Sequence, residues 1–196
     1  DAGNRLCRKY GWPTHERQAY RYFVGNGIPK LVERLAPADQ RTPAVLEAAL
    51  ADFKRDYGQH LRDTTAPYPG IPEMLAKLKA NGVQLAVFSN KADALAKEVV
   101  KDYFGTQYFT IVRGQMTGVA PKPAAEGTNA LLQALHADPA STLYVGDSNV
   151  DVETAHNANL PCCGAVWGFR TREELNAAGA EYLAENSDEL YDVIMK

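Results

Sequence analysis

The chain has 196 residues, 45% of them hydrophobic and 23% charged, which fits one globular domain or one domain with a small insert. A formal charge of −3 and a pI near 5.8, with no Lys/Arg run, exclude the electrostatic footprint of a nucleic-acid binder. No apolar stretch approaches a membrane span and no signal peptide is visible, so the expectation is a cytoplasmic protein that engages neither membrane nor nucleic acid. Cys7, Cys162 and Cys163 make neither a disulfide framework nor a zinc pattern, and read as buried, reduced packing residues.

Residues 1–10 read as helix, with Leu6, Cys7 and Tyr10 at helical spacing, and Trp12-Pro13-Thr14 breaks it. A second helix is predicted over His15 to Val24, ended by Gly25-Asn26-Gly27, and a third over Ile28 to Leu35. Thr42-Pro43 reads as a capping hydroxyl with proline at the first helical position, starting a helix to about Leu61. Residues 1–66 are therefore predicted to be a small all-helical domain, with Pro67-Tyr68-Pro69-Gly70 as a hinge.

From residue 67 to 196 helices alternate with short apolar runs. Helices are predicted at Ile71–Ala80, Lys91–Tyr103, Pro123–His136, Asn149–Asn159, Thr171–Ala178 and from Ser187, which would cap its own helix. Strands are predicted at Gln84–Phe88, Tyr108–Val112, Thr142–Val145 (as a buried strand), Cys162–Trp167 and Tyr182–Leu183. This alternation implies right-handed βαβ units: an α/β fold, a doubly wound parallel sheet covered by helices on both faces.

Three constellations sit at strand ends. Gly146-Asp147-Ser148-Asn149-Val150-Asp151 places two carboxylates four residues apart, one at a strand's carboxyl end and one in the next helical turn. Ligands bind at that edge of open α/β sheets, and two carboxylates there suit a hard cation such as Mg²⁺. The plainer reading is a strand end and a carboxylate favoured at a helix N-terminus. Ser89, in Phe88-Ser89-Asn90-Lys91, ends a strand ahead of a predicted helix N-terminus, where a hydroxyl and free N–H groups could hold phosphate or Ser89 could simply cap the helix. Lys122 lies between Pro121 and Pro123, which restrict the backbone and so the direction of its ammonium. Together these are the parts of phosphoryl transfer: donors, a charge clamp and metal ligands. His15, His60, His136 and His156 have no ligand-spaced partner and are expected at the surface.

Ser89, Lys122 and the pair Asp147 and Asp151, in that order on that pattern, resemble the second, third and fourth motifs of the haloacid dehalogenase superfamily. The resemblance covers essentially the whole chain. Phe23-Val24-Gly25-Asn26-Gly27, Pro67-Tyr68-Pro69-Gly70-Ile71, Phe88-Ser89-Asn90-Lys91 and Val166-Trp167-Gly168-Phe169-Arg170 are similar to its bacterial phosphoglycolate phosphatase branch.

The resemblance implies a Mg²⁺-dependent phosphatase acting on a small phosphorylated metabolite, 2-phosphoglycolate or a related ester, through an aspartyl-phosphate. It implies Lys122 and Ser89 in catalysis, Ser89, Asn90 and Lys122 on phosphate, and Asp147 and Asp151 on metal. Gly25, Asn26, Gly27 and Arg170 would contact the leaving group, from a helical cap and the core of a monomer or homodimer. The superfamily's nucleophile stands in an Asp-x-Asp motif on a central strand ahead of the cap, and no Asp-x-Asp occurs in this chain. The expectation is a core without that strand, with unpaired edges beside Gln84–Phe88 and Thr142–Val145 and no turnover unless the strand is supplied. A non-catalytic protein that only binds phosphate and metal is the competing reading.

Overall fold

A computed structural model describes residues 1–196, and the chain divides into two compact units, Asp1–Ala66 and Pro67–Lys196. The first unit is helical: α1 (Ala2–Tyr10), α2 (Tyr20–Phe23), α3 (Ile28–Leu35) and α4 (Pro43–Gln59), with 3₁₀ turns at Arg17–Ala19 and Ala38–Gln40. Leu6, Cys7, Val32, Leu35, Ala49 and Phe53 form its core. Thr42 caps α4, its side chain accepting from the Val45 N–H at 3.4 Å, with Pro43 in the first helical turn.

The helix expected over His15–Val24 is instead a 3₁₀ turn followed by the single turn of α2. Asn4 accounts for the difference. Its side-chain amide donates to the His15 carbonyl at 2.8 Å and accepts from the His15 N–H at 2.9 Å, which takes both backbone groups out of any helical ladder. His15 is also not the surface residue expected. Its ring packs edge-on against Phe23, centroids 4.9 Å apart, and its Nε2 is buried without a hydrogen-bond partner.

The second unit carries α5 (Ile71–Ala80), β1 (Leu85–Ala92), α6 (Asp93–Phe104), β2 (Phe109–Gln115), α7 (Glu126–Leu135) and β3 (Tyr144–Gly146). It continues through α8 (Asn149–Asn157), β4 (Cys162–Ala165), α9 (Arg172–Ala177), β5 (Tyr182–Ala184) and α10 (Ser187–Ile194). Every strand pair is parallel: β1 with β2, β3 with β4, and β4 with β5. β1 and β3 belong to separate sheets, so each pairs on one side only.

Two cores cover the strands. Cys163 and Ala184 pack with Met74, Leu75, Leu78 and Leu190, and Leu85 and Phe109 of the other sheet join that same cluster. Cys162 faces the opposite way, into Val152, Ala155, Leu160 and Leu175. Adjacent cysteines on opposite faces follow from strand alternation, and they place helices on both sides of a parallel sheet. All four residues of β4 are buried, as a strand paired on both edges requires. The expectation of a fully buried β3 is corrected: Val145 is 39% exposed, because β3 has a neighbour on one edge only.

Local signals fix several helix ends. Thr171 and Glu174 form a reciprocal capping box at α9. The cap of α10 is Asn186 rather than Ser187, its side chain accepting from the Asp188 and Glu189 N–H groups. No helix is long and apolar enough to cross a membrane.

Candidate active site

The turn from β3 into α8 is built around Asp151, in the first helical turn and 7% exposed. Its Oδ2 accepts from the Ser148 hydroxyl at 2.6 Å and from the Asp147 N–H at 3.2 Å, so the carboxylate closes the loop that precedes it. Gly146 makes this packing possible, since a Cβ there would collide with the Asp151 side chain. Asp147 is backed by the segment after β4. Its Oδ2 accepts from the Phe169 N–H at 3.2 Å and its carbonyl from the Arg170 N–H at 3.0 Å, and a Cβ on Gly168 would overlap the carboxylate.

Lys122 reaches this pair from the loop between β2 and α7. Its ammonium lies 2.6 Å from Asp151 Oδ1 and 5.9 Å from the centroid of the Phe88 ring. Burial alone would lower the lysine's pKa, but the charge of Asp151 and the neighbouring Tyr144 outweigh it and hold the group above its ordinary value, so it is a cation at neutral pH. Burial, and then the adjacent Asp151, push the Asp147 carboxyl above the usual carboxylate range. The Tyr144 hydroxyl is buried without a hydrogen bond of good geometry, and its pKa is pushed up to about 12 by burial.

The backbone of Lys122 is held as firmly as its side chain. Asn90 Oδ1 accepts from the Lys122 N–H at 2.8 Å, and Asn90 Nδ2 donates to the Lys122 carbonyl at 3.2 Å. Asn157, at the far end of α8, donates to the Pro123 carbonyl at 2.9 Å. Asn90, Lys122, Asp147 and Asp151 are thus linked by direct contacts, and Ser89 is the neighbour of Asn90.

Two local expectations are corrected. Ser89 does not stand at a helix N-terminus: β1 continues to Ala92, paired with Gln115, and α6 begins at Asp93. Gly114 permits this, because any Cβ there would meet the Lys91 carbonyl and the Asp93 backbone, and the Asp93 carboxylate receives the Gly114 N–H at 2.9 Å. The Ser89 hydroxyl accepts from the Lys91 N–H at 3.1 Å and keeps its own proton for donation. Pro123 does not open α7 either. The stretch Pro121 to Ala124 is a turn closed by Ala124 N–H to Pro121 carbonyl at 3.0 Å, and the helix starts at Glu126.

Of the remaining candidates, Arg170 touches the site through its backbone N–H on Asp147, and its charge offsets a small part of the upward shift of that carboxyl. Gly25, Asn26 and Gly27 form the loop between α2 and α3 in the helical unit. Both glycines have positive φ, 115° and 84°. Asn26 Oδ1 accepts from Arg34 Nη2 at 2.9 Å, and Arg34 also donates to the Tyr22 and Phe23 carbonyls, so the loop is tied to its own unit. Sequence reasoning overlooked Gly114, Gly146 and Asn157 as supports of the site. Gly146 and Gly114 had a readable signal, each a small residue where a strand reaches the sheet edge.

A divalent cation would meet the carboxylate pair chiefly at Asp147, since Asp151 Oδ1 is held by the Lys122 ammonium and its Oδ2 by the Ser148 hydroxyl and the Asp147 N–H. Asp147 is a half-buried carboxylate beside another carboxylate, and a cation there would relieve the repulsion. Carboxylate oxygens are hard donors, the type that Mg²⁺ prefers.

Known proteins share this arrangement of sequence and fold. The sequence pattern of haloacid dehalogenase-like hydrolases matches residues 1–165. The plasmid phosphoglycolate phosphatase of Cupriavidus necator is 30% identical over 191 residues, 97% of this chain and 83% of that protein. The phosphoglycolate phosphatase of Neisseria gonorrhoeae is 32% identical over 171 residues, 86% of this chain and 72% of that protein. A crystal structure from Lactobacillus delbrueckii subsp. bulgaricus, provisionally named a phosphoglycolate phosphatase, superposes with a TM-score of 0.92 at 26% identity, covering 98% of this chain and 89% of that one.

Proposed function

This chain belongs to the haloacid dehalogenase-like hydrolase family, and from that premise we propose that it is a Mg²⁺-dependent phosphatase of a small phosphate monoester, 2-phosphoglycolate or a close relative. The observation that carries the reading is the linkage of Asn90, Lys122 and Asp151, which draws one fixed cation and the end of β1 to the carboxylate pair. The names of the relatives from Cupriavidus and Neisseria support the substrate.

The Lys122 ammonium neutralises charge on the phosphoryl oxygens, and the Ser89 hydroxyl and Asn90 N–H donate to them. Asp147 would hold the cation, with Asp151 orienting it, and the bound ion would supply positive charge that screens nucleophile and phosphate from each other. The attacking group is an aspartate whose carboxylate bonds in line to phosphorus as the ester P–O bond breaks and the alcohol leaves with a proton. Water then attacks the phosphorus of the aspartyl-phosphate, regenerating the carboxylate and releasing inorganic phosphate. The chain contains no Asp-x-Asp, and we assign that nucleophile to a strand pairing with the free edges of β1 and β3, supported by their separation into two sheets and the exposure of Val145. The helical unit serves as a substrate-selecting cap through Gly25, Asn26 and Gly27, Arg170 of the second unit is a further specificity residue, and the protein works in the cytoplasm.

The test is release of inorganic phosphate from a panel of small esters, 2-phosphoglycolate among them, by the natural gene product with and without EDTA. Turnover that prefers 2-phosphoglycolate and is lost in EDTA supports the proposal, and absence of turnover on every ester rejects it. The missing Asp-x-Asp favours one second reading, a protein that binds phosphate and metal without hydrolysis, which the same panel separates by saturable binding with no release.

A further inference from the structure

Lys122 has two distinct anchors, and only one of them is electrostatic. Its ammonium is fixed by Asp151 at 2.6 Å, and its peptide group is fixed by the Asn90 side chain through two hydrogen bonds, one accepted and one donated. An amide that meets a residue's own N–H and C=O together mimics one rung of a β-ladder, and so fixes orientation as well as distance. No strand is present to do this job, since residues 116 to 125 lie outside every strand and helix. A second contact limits the segment from the other side, where Asn157 donates to the Pro123 carbonyl at 2.9 Å. The loop leading into Lys122 is pinned as well, by Gln115 Nε2 donating to the Val119 carbonyl at 2.5 Å and to the Met116 carbonyl at 3.0 Å.

We infer that the Asn90 side chain is a positioning residue for Lys122, transmitting the placement of β1 to the ammonium rather than binding ligand itself. Its amide oxygen is engaged by the Lys122 N–H and one amide proton by the Lys122 carbonyl. The inference rests on the phosphate-site reading above and gives the side chain of Asn90 a role apart from its backbone N–H. It predicts that the functional effect of removing Asn90 runs entirely through Lys122.

The experiment measures binding of inorganic phosphate, in the presence of Mg²⁺, to the wild type, Asn90→Ala, Lys122→Met and the double variant. Amide hydrogen exchange at Lys122 is followed in the wild type and Asn90→Ala. Asn90→Ala is expected to speed exchange at Lys122 by about tenfold or more and to weaken phosphate binding by about tenfold, the scale on which a misplaced charged group is felt. In the Lys122→Met background the same change should have no further effect, the signature of one residue acting through another. Additive losses, or unchanged exchange at Lys122, overturn the inference. If the wild type binds no phosphate, the phosphate-site reading fails, and the exchange at Lys122 still decides whether Asn90 holds that residue. Asn90→Ser, which also cannot span both backbone groups, replaces Asn90→Ala if the latter does not fold.

Discussion

Lys122 and Asp151 form an ion pair 2.6 Å long in which the side chains are only 12% and 10% exposed. Truncating one partner of such a pair leaves the other charge buried and uncompensated, which costs about 3–5 kcal/mol. Lys122→Ala is predicted to lower turnover by orders of magnitude and also to lower the denaturant midpoint by an amount corresponding to a few kcal/mol. Equilibrium unfolding of the variant beside the wild type checks both the size and the sign.

Gly146 and Gly168 are glycines for lack of space, not for backbone freedom. A Cβ on the first would strike Asp151, and a Cβ on the second would strike Asp147. Gly168→Ala must displace the Asp147 carboxylate or the segment behind it, at about 1–3 kcal/mol of overpacking. The expected result is a modest fall in melting temperature with a much larger rise in the Mg²⁺ concentration needed for half-maximal activity. A variant with wild-type Mg²⁺ dependence would remove Asp147 from the cation site.

The same carboxylate links stability to metal. Because burial and Asp151 push the Asp147 carboxyl upward, its charged form is disfavoured in the native protein, and a bound cation should reverse this. Mg²⁺ at 100 times its dissociation constant is predicted to stabilise the wild type by about 2.7 kcal/mol. Asp147→Asn should melt higher than the wild type without Mg²⁺ and gain little when it is added. Melting curves of both proteins across a Mg²⁺ series give the answer.

Alkaline pH should destabilise both units. Burial raises Cys162 from 9.0 to about 12, Cys163 from 9.0 to about 11, and Tyr144 and Tyr20 from 10.0 to about 12. A group whose folded pKa is the higher holds its proton more tightly in the native state. Its stabilisation is complete below the unfolded pKa and disappears as pH rises through the folded one. Melting temperature is therefore predicted to show no loss from these groups at neutral pH and to fall progressively between pH 9 and 12. A fall complete by pH 9 would show that these groups are not buried as described.

The α/β alternation was legible because it rests on local periodicity, and the Asp147/Asp151 spacing because helix geometry fixes where the fourth residue lies. What escaped depends on contacts distant in sequence. The extension of β1 past Ser89 requires Gly114, twenty-five residues on, to admit the Lys91 carbonyl. The break before Tyr20 comes from Asn4 gripping His15 across eleven residues. The proline before α7 looked like a helix start, yet the Pro121–Ala124 turn intervenes. Asn90 read as a backbone donor because nothing local reveals that its side chain meets Lys122, thirty-two residues away.

The most direct measurement is a crystal structure of the protein soaked with inorganic phosphate and Mg²⁺. The account predicts phosphate oxygens against the Ser89 hydroxyl and the Lys122 ammonium, with the cation bound to Asp147. Density for phosphate elsewhere, or an Asp147 carboxylate without a cation at saturating Mg²⁺, would contradict it.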